Sequence, residues 1–538
     1  MRKVRFFDVA MMVTTLFLPA VASVFGEDIK RVQDVATIQK RPIGAPKASD
    51  VTMRSLRPHP RHRKDPYDTL QAIKDFHATR LDWTYSLTKA FVKKINDYGC
   101  VCGGAASGHT FDRSQKEKLK QTSIRDLNGN PVLPSWMRKW KDHVQGCVNH
   151  PLYREGYLTE VKRNIDLGVS GMQRDNVRAN YFVNQYGACF CDYCMKDFRA
   201  FLARETTPEQ RQQLGIRDVS DFDYRQHLKR LNAPVGDDFG KWDGGELKQL
   251  FITFQSKQTA AFHRWVMKET DAYAGCHIPW SCNNGGYRFS ERTEMFDYMV
   301  GELHVDHANP KDTYDAIQKA RTLGKLQVLT LPKDKRYEER LPELEQQTRK
   351  LIAWTYACGS LMMVPWDMFM GSKPPRYFGK PETYADLYGF VRANAPLLDG
   401  YEEAAIIGKE FQETRYGSMP PVSLMGNSEN VYGVVRAKPG QYQEPVVIHL
   451  MEWGDEAKEI HVRLRTKAFF GHNRLSVKLV VPIAYDKAIY DAAEQSKNYA
   501  SLTKTIDLQV EHQQDFALVH VPPLIKPWGL LVVSPRAM

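Results

Sequence analysis

The stretch Ile165-Asp-Leu-Gly-Val-Ser-Gly-Met-Gln-Arg-Asp175 reads as a helix end, a glycine turn and a short strand that finishes on a carboxylate. In a β/α barrel the C-terminal edge of the strands is where chemistry is done. A second run, Phe296-Asp-Tyr-Met-Val-Gly-Glu302-Leu-His304, also ends on a carboxylate. Two carboxylates at one barrel mouth suit a reaction that needs an attacking group on one side of a bond and a proton donor on the other.

Outward from these two segments, short apolar runs alternate with longer amphipathic ones, the pattern of an α/β fold. The strand-like runs are Thr79 to Tyr85, Val101 to Ala106, Gly146 to Asn149, Gly171 to Asp175, Cys276 to Cys282, Phe296 to Glu302, Leu326 to Leu331 and Leu361 to Trp366. Eight strands close a (β/α)8 TIM barrel, which places Asp175 on strand four and Glu302 on strand six. Helical patterns between them include Leu87 to Asp97, Tyr153 to Leu167, Cys191 to Arg204, Thr313 to Leu323, Leu341 to Ala357 and Pro381 to Ala393. After Leu398 the pattern turns to period two, so a C-terminal all-β sandwich is expected over 399–538, following a barrel over 68–398 with an insertion at about 206–245.

The N-terminus carries Arg2, Lys3 and Arg5, an apolar run from Val9 to Leu18, then small residues around Ala20 and Ala22. This reads as a secretory signal peptide over 1–26, with an extended basic arm over 27–67. Pro19 interrupts a run already short for a bilayer span, so stable membrane insertion is not expected. Removing 1–26 lowers the formal charge of +12 to about +10. An exported basic protein attracts polyanions, and sulfated or uronate-bearing polysaccharide fits that description. Nucleic acid is not expected, because the chain has no basic repeat or nucleic-acid motif. A Gly-x-Ser-x-Gly elbow, a phosphate loop and a dinucleotide fingerprint are absent too.

Asp175 and Glu302 are the candidate catalytic pair, since two carboxylates flanking one bond are what glycosidic cleavage requires. Asp82 and Trp83, and likewise Trp366 and Asp367, form Trp–Asp pairs at strand ends, able to stack on a sugar and accept its hydroxyl hydrogen bonds. Arg174 and Lys333 are candidate anion-binding groups, Asn283 a hydroxyl partner and His304 a wall of the site. Cys189-Phe-Cys191-Asp-Tyr-Cys194 has spacing compatible with a structural zinc site, with Cys147 as a possible fourth ligand. Export equally permits a disulfide or free thiols there, and nine cysteines leave at least one unpaired. No cofactor is required by the chemistry.

The succession of strand ends followed by a β-sandwich resembles the (β/α)8-barrel glycoside hydrolases. Acidic residues on strands four and six resemble the α-galactosidase and α-glucosidase clan and the endodextranases. That resemblance implies Asp175 as nucleophile and Glu302 as acid/base. The cysteine-rich segment after strand four is similar to a β-galactosidase family with a zinc-binding cysteine cluster. Those β-galactosidases carry Asn-Glu at strand four and Glu at strand seven, where this chain has Asp175-Asn176 and Lys333. The expected function is a secreted glycoside hydrolase acting on a poly- or oligosaccharide. The alternatives are an inactive carbohydrate-binding barrel, or a polysaccharide lyase recruiting His304 and Lys333.

Overall fold

The structure is a computed structural model that describes residues 29–55, 58, 68–106, 116–138, 143–285, 288–303, 308–331, 340–366, 380–426, 428–456, 458–470 and 474–535. The proposed signal peptide lies outside them. Its barrel strands are β1 (Thr52–Met53), β2 (Arg80–Leu81), β3 (Val101–Cys102 continuing into Gly104–Ala106), β4 (Met172–Arg174), β5 (Trp280–Asn283), β6 (Tyr298–Glu302), β7 (Leu326–Thr330) and β8 (Leu361–Met362). Consecutive strands pair in parallel. The Val364 amide donates to the Thr52 carbonyl at 2.8 Å, joining the last strand to the first.

The stretch read as an extended arm supplies β1, which pairs Thr52 with Arg80 and Met53 with Leu81. Gly146 to Asn149 is no barrel strand: Gly146 makes an isolated antiparallel bridge to Ser123 in the excursion after β3. The two errors cancel in the count, so Asp175 still follows strand four and Glu302 still ends strand six.

The helices are α1 (Thr69–Asp75), α2 (Lys89–Asp97), α3 (Pro151–Asp166), α4 (Asp192–Glu205), α5 (Gly245–Ala274), α6 (Pro310–Thr322), α7 (Leu341–Ala357) and α8 (Pro381–Ala393); all but α4, whose buried residues lie in a separate cluster, pack on the barrel core. Local chemistry sets their ends. Pro151 and Pro310 begin helices where a missing N–H costs nothing, and the Asn309 side chain caps the Asp312 amide at 2.8 Å. Gly275 closes α5 with φ 70°, a conformation that favours glycine.

The strands β9 (Glu402–Ile407), β10 (Val422–Met425), β11 (Val431–Ala437), β12 (Val446–Glu452), β13 (Ile460–Arg465), β14 (Leu475–Pro482), β15 (Thr503–Asp507), β16 (Val510–His512), β17 (Phe516–Val521) and β18 (Trp528–Pro535) follow. They form a six-stranded sheet, β9-β11-β12-β18-β14-β15, and a four-stranded sheet, β10-β13-β17-β16. Every residue of β11 and β12 is buried because both faces of the larger sheet are covered. One face shares a core with the smaller sheet. The other packs on α7 and α8, with Trp528 edge-on to Phe390 at 4.9 Å. This continuous core holds the sandwich against the barrel. Among the described residues no helix is long and apolar enough to cross a membrane.

Candidate active site

Side chains along a strand alternate between faces, and this decides where β4 sends its residues. Gln173 accepts a hydrogen bond from the Ser281 hydroxyl on β5, inside the barrel. Asp175, two residues on, emerges at the mouth. Arg174 points the other way into the helical layer, buried, with its guanidinium carbon 4.5 Å from the Tyr157 ring centre and 5.6 Å from that of Phe262. The expected anion-binding role of Arg174 is therefore corrected: it is a core cation held on aromatic faces.

The Asp175 carboxylate is surrounded by donors. The Tyr85 hydroxyl donates to Oδ2 at 2.7 Å, the Asn283 amide to Oδ1 at 3.3 Å and the Asn176 backbone amide to Oδ1 at 2.8 Å. Behind Tyr85, the Trp83 indole N–H donates to its hydroxyl at 3.0 Å. Trp83 and Asn176 both adopt left-handed backbone, with φ 55° and 54°. For a bulky residue such as Trp83 this costs on the order of 1–3 kcal/mol and is found where geometry serves a site.

Glu302 ends β6 half-buried, and the Asn283 side chain that reaches Asp175 hydrogen-bonds Glu302 as well. One amide thus ties the two carboxyl groups together. Burial is the main force raising the Glu302 pKa above the ordinary glutamate value; the Arg54 charge opposes it, the nearby Asp175 charge adds to it and the Asn283 hydrogen bond opposes it. Arg54 lies just past β1, its guanidinium 5.3 Å from the Trp83 ring centre. Neither Arg54 nor Tyr85 was singled out in the sequence, because Arg54 falls in the presumed arm and Tyr85 lacks a motif.

The remaining expected subsite residues divide. Asp82 is buried inside the barrel, where it accepts from Thr52 at 2.8 Å, from Arg80 at 3.3 and 3.4 Å and from Tyr298 at 3.2 Å. Its acceptor positions are filled, so it is a core ion-pair residue and not a sugar ligand. Trp366 is fully buried in the main core, and Trp83 is only 5% exposed, so neither offers an open face for stacking. His304, Lys333 and Asp367 lie outside the described residues.

A second cluster sits beside the mouth. The sulfur atoms of Cys147, Cys189, Cys191 and Cys194 lie within 4.8 Å of one another. The Cys147 sulfur is 3.4 Å from that of Cys194 and 3.7 Å from that of Cys191. A disulfide needs about 2.05 Å, whereas four thiolates about 2.3 Å from a tetrahedral ion sit roughly 3.8 Å apart. Asn180 donates to the Cys147 sulfur at 3.2 Å and Asn149 to that of Cys194 at 3.4 Å, the outer-shell support that thiolate ligands use. The residues present fit a tetrahedral thiolate-bound metal. The cluster lies in a satellite core with Phe198, Tyr224, Phe239 and Phe251, which joins the excursion after β3 to the insertion after α4.

No family model matches the chain. An α-agarase of Thalassotalea agarivorans is 22% identical over 453 residues, covering 75% of this chain and 30% of that protein. An α-agarase of Alteromonas agarilytica is 24% identical over 344 residues, covering 57% of this chain and 22% of that protein. The chain spans under a third of the length of the curated relatives it matches. A catalytic mutant of Gan42B, a GH42 β-galactosidase from G. stearothermophilus, aligns with TM-score 0.52 at 11% identity over 94% of this chain and 100% of that one. The two chains share the TIM-barrel fold. A (β/α)8 barrel followed by a β-sandwich, as expected from the strand pattern, is the architecture of this chain.

The hydrogen bond from Tyr85 gives a direct test of how Asp175 is oriented. Tyr85→Phe is expected to lower kcat roughly ten-fold, the worth of one hydrogen bond to a charged group, with KM little changed. Steady-state kinetics beside a thermal melt check this. An unchanged kcat would remove Tyr85 from the machinery.

Proposed function

We propose that this chain is a secreted glycoside hydrolase that cleaves a galactan of the agar type, with Asp175 as nucleophile and Glu302 as general acid/base. The observation that carries the reading is the Asn283 amide in contact with both carboxyl groups. The similarity to two α-agarases supports the polymer class. An amide shared by both carboxyl groups, with the Asp175 charge acting on Glu302, favours the short carboxyl separation, roughly 5 Å, of a retaining glycosidase over the wider gap that admits a water.

The steps follow from the two environments. Glu302, kept protonated to higher pH by burial, gives its proton to the leaving glycosidic oxygen while an Asp175 oxygen attacks the anomeric carbon. The glycosidic C–O bond breaks and a glycosyl ester forms on Asp175. Glu302, now a carboxylate, takes a proton from water, whose oxygen displaces Asp175 and releases the sugar. Because the acid must be protonated, the rate falls as pH rises through the raised Glu302 pKa, so the alkaline limb sits above the ordinary carboxyl range. A screen of agarose, sulfated galactans and a neutral glucan tests the assignment; new reducing ends from the glucan alone would overturn it.

Three arginines support an anionic form of the polymer. Arg178 follows Asp175 by three residues, and Arg288 and Arg292 lie on the loop after β5, beyond Asn283. The Arg292 guanidinium carbon lies 3.6 Å from the Tyr181 ring centre, and its Nη1 donates to the Ser256 hydroxyl at 2.5 Å. Burial lowers the Arg178 pKa first, and the charges of Arg288 and Arg292 lower it further. Like charges gathered beside a cleft repel one another, and a sulfate ester would relieve that repulsion with charge-assisted hydrogen bonds. Arg178→Gln is expected to raise KM for a sulfated oligosaccharide about ten-fold and leave a desulfated one unchanged, with binding of the sulfated form weakening as salt rises. Equal effects on both oligosaccharides would confine the substrate to neutral galactan.

A further inference from the structure

On the outer face of the four-stranded sheet, far in sequence from the barrel mouth, His461 on β13 stands directly opposite His520 on β17. Facing residues of an antiparallel pair hold their Cβ atoms about 4.5–5.5 Å apart, and here the two rings meet edge to face with centres 4.5 Å apart. Glu459 lies two residues before His461, just ahead of β13. One donor atom from each of Glu459, His461 and His520 falls within 4.8 Å of the others. The neighbouring strand β16 adds Glu511, whose Oε1 is 3.0 Å from His520 Nε2.

We propose that Glu459, His461 and His520 form a surface site for a divalent late first-row transition ion, zinc first among them. Two imidazoles and one carboxylate are a ligand set for zinc, copper or nickel, and a poor one for calcium or magnesium, which take oxygen ligands. Glu511 completes the set from outside. By accepting the His520 Nε2 proton it fixes the tautomer that leaves Nδ1 as the ligand nitrogen, the carboxylate–histidine–metal arrangement. Two cations further along β13, Arg463 and Arg465, are held on an aromatic face, their guanidinium carbons 4.7 and 5.0 Å from the Phe516 ring centre. An ion here would tie β13 to β17 and, through Glu511, to the edge strand β16.

The site is separate from the cysteine cluster and from the proposed catalytic pair, so its test does not depend on activity. Purified protein is stripped with EDTA, which leaves a tetrathiolate ion in place more readily than a surface one, and titrated calorimetrically with zinc, then with calcium. Wild type should take up one more zinc per chain than the His461→Ala/His520→Ala variant and show no matching calcium event. Glu511→Gln should weaken that zinc about ten-fold while leaving the stoichiometry intact. His461→Gln, which keeps a polar group on the strand, should also lose the event, and melting curves in EDTA should coincide for all variants. Identical zinc stoichiometry and affinity in wild type and the double variant would overturn the proposal.

Discussion

Asp175→Asn is expected to lower kcat by about ten-thousand-fold or more, because losing one member of a nucleophile–acid unit costs nearly as much as losing the unit. The substitution is close to isosteric: the carboxamide oxygen in the Oδ1 place keeps the bonds from the Asn176 amide and Asn283, and its NH2 can donate to the Tyr85 hydroxyl, so the melting temperature should hold. A small external nucleophile such as azide, supplied to this variant with an activated glycoside, should restore part of the rate with inverted product, since it replaces the missing attack. Glu302→Gln should cost about a hundred- to ten-thousand-fold and flatten the alkaline limb of the pH profile. The loss should shrink for substrates whose leaving group needs no proton. Near-normal turnover by Asp175→Asn would reject the assignment outright.

The second large effect is expected at the cysteine cluster, where we propose that Cys147, Cys189, Cys191 and Cys194 hold a structural zinc ion. The four sulfur atoms bring together the excursion after β3, the loop after β4 and the first turn of α4. Segments of that kind have little secondary structure to hold them, so a metal that bonds all of them restricts the unfolded chain most. Cys147→Ser should abolish the tightly held zinc and lower the melting temperature by about 5–10 °C, a cost of a few kcal/mol in a large domain. Elemental analysis and scanning calorimetry check both. If the purified protein carries no metal and Cys147→Ser melts as wild type does, the cluster is a set of packed thiols.

The barrel was legible because parallel strands buried on both faces leave continuous apolar runs, as in Leu326-Gln-Val-Leu-Thr330, where every residue is buried. Thr52–Met53 carry little signal for a physical reason: two residues have no periodicity, and the short run from Val51 is closed by Asp50 before it and by Arg54 and Ser55 after it. Gly146-Cys-Val-Asn149 misled in the opposite direction. Its residues are buried by contact with the cysteine core and α3, with a Cβ on Gly146 falling 1.9 Å from the Tyr153 ring, and not by strand pairing.

At the mouth, strand-end position found the two carboxylates, but neighbours in sequence were misassigned. Alternation alone separates Arg174 from Asp175, since adjacent strand residues face opposite sides. Asp82 looked like a rim residue because Trp83 follows it, yet Thr52, Arg80 and Tyr298 close around it from three strands. Thr52 and Tyr298, 30 and 216 residues away, are long-range partners of a kind that has no signature in a single sequence. The contribution of Tyr85 is of the same kind, as it reaches Asp175 across 90 residues of chain.

A covalent mechanism through Asp175 is tested most directly by trapping the glycosyl ester. The protein is incubated with a 2-deoxy-2-fluoro glycosyl fluoride built on the oligosaccharide it cleaves, in which the fluorine slows hydrolysis of the intermediate more than its formation. Proteolysis and mass spectrometry should then find one sugar adduct, on the peptide that contains Asp175. An adduct on another carboxylate, or an active enzyme that yields no adduct and releases product of inverted configuration, would contradict it.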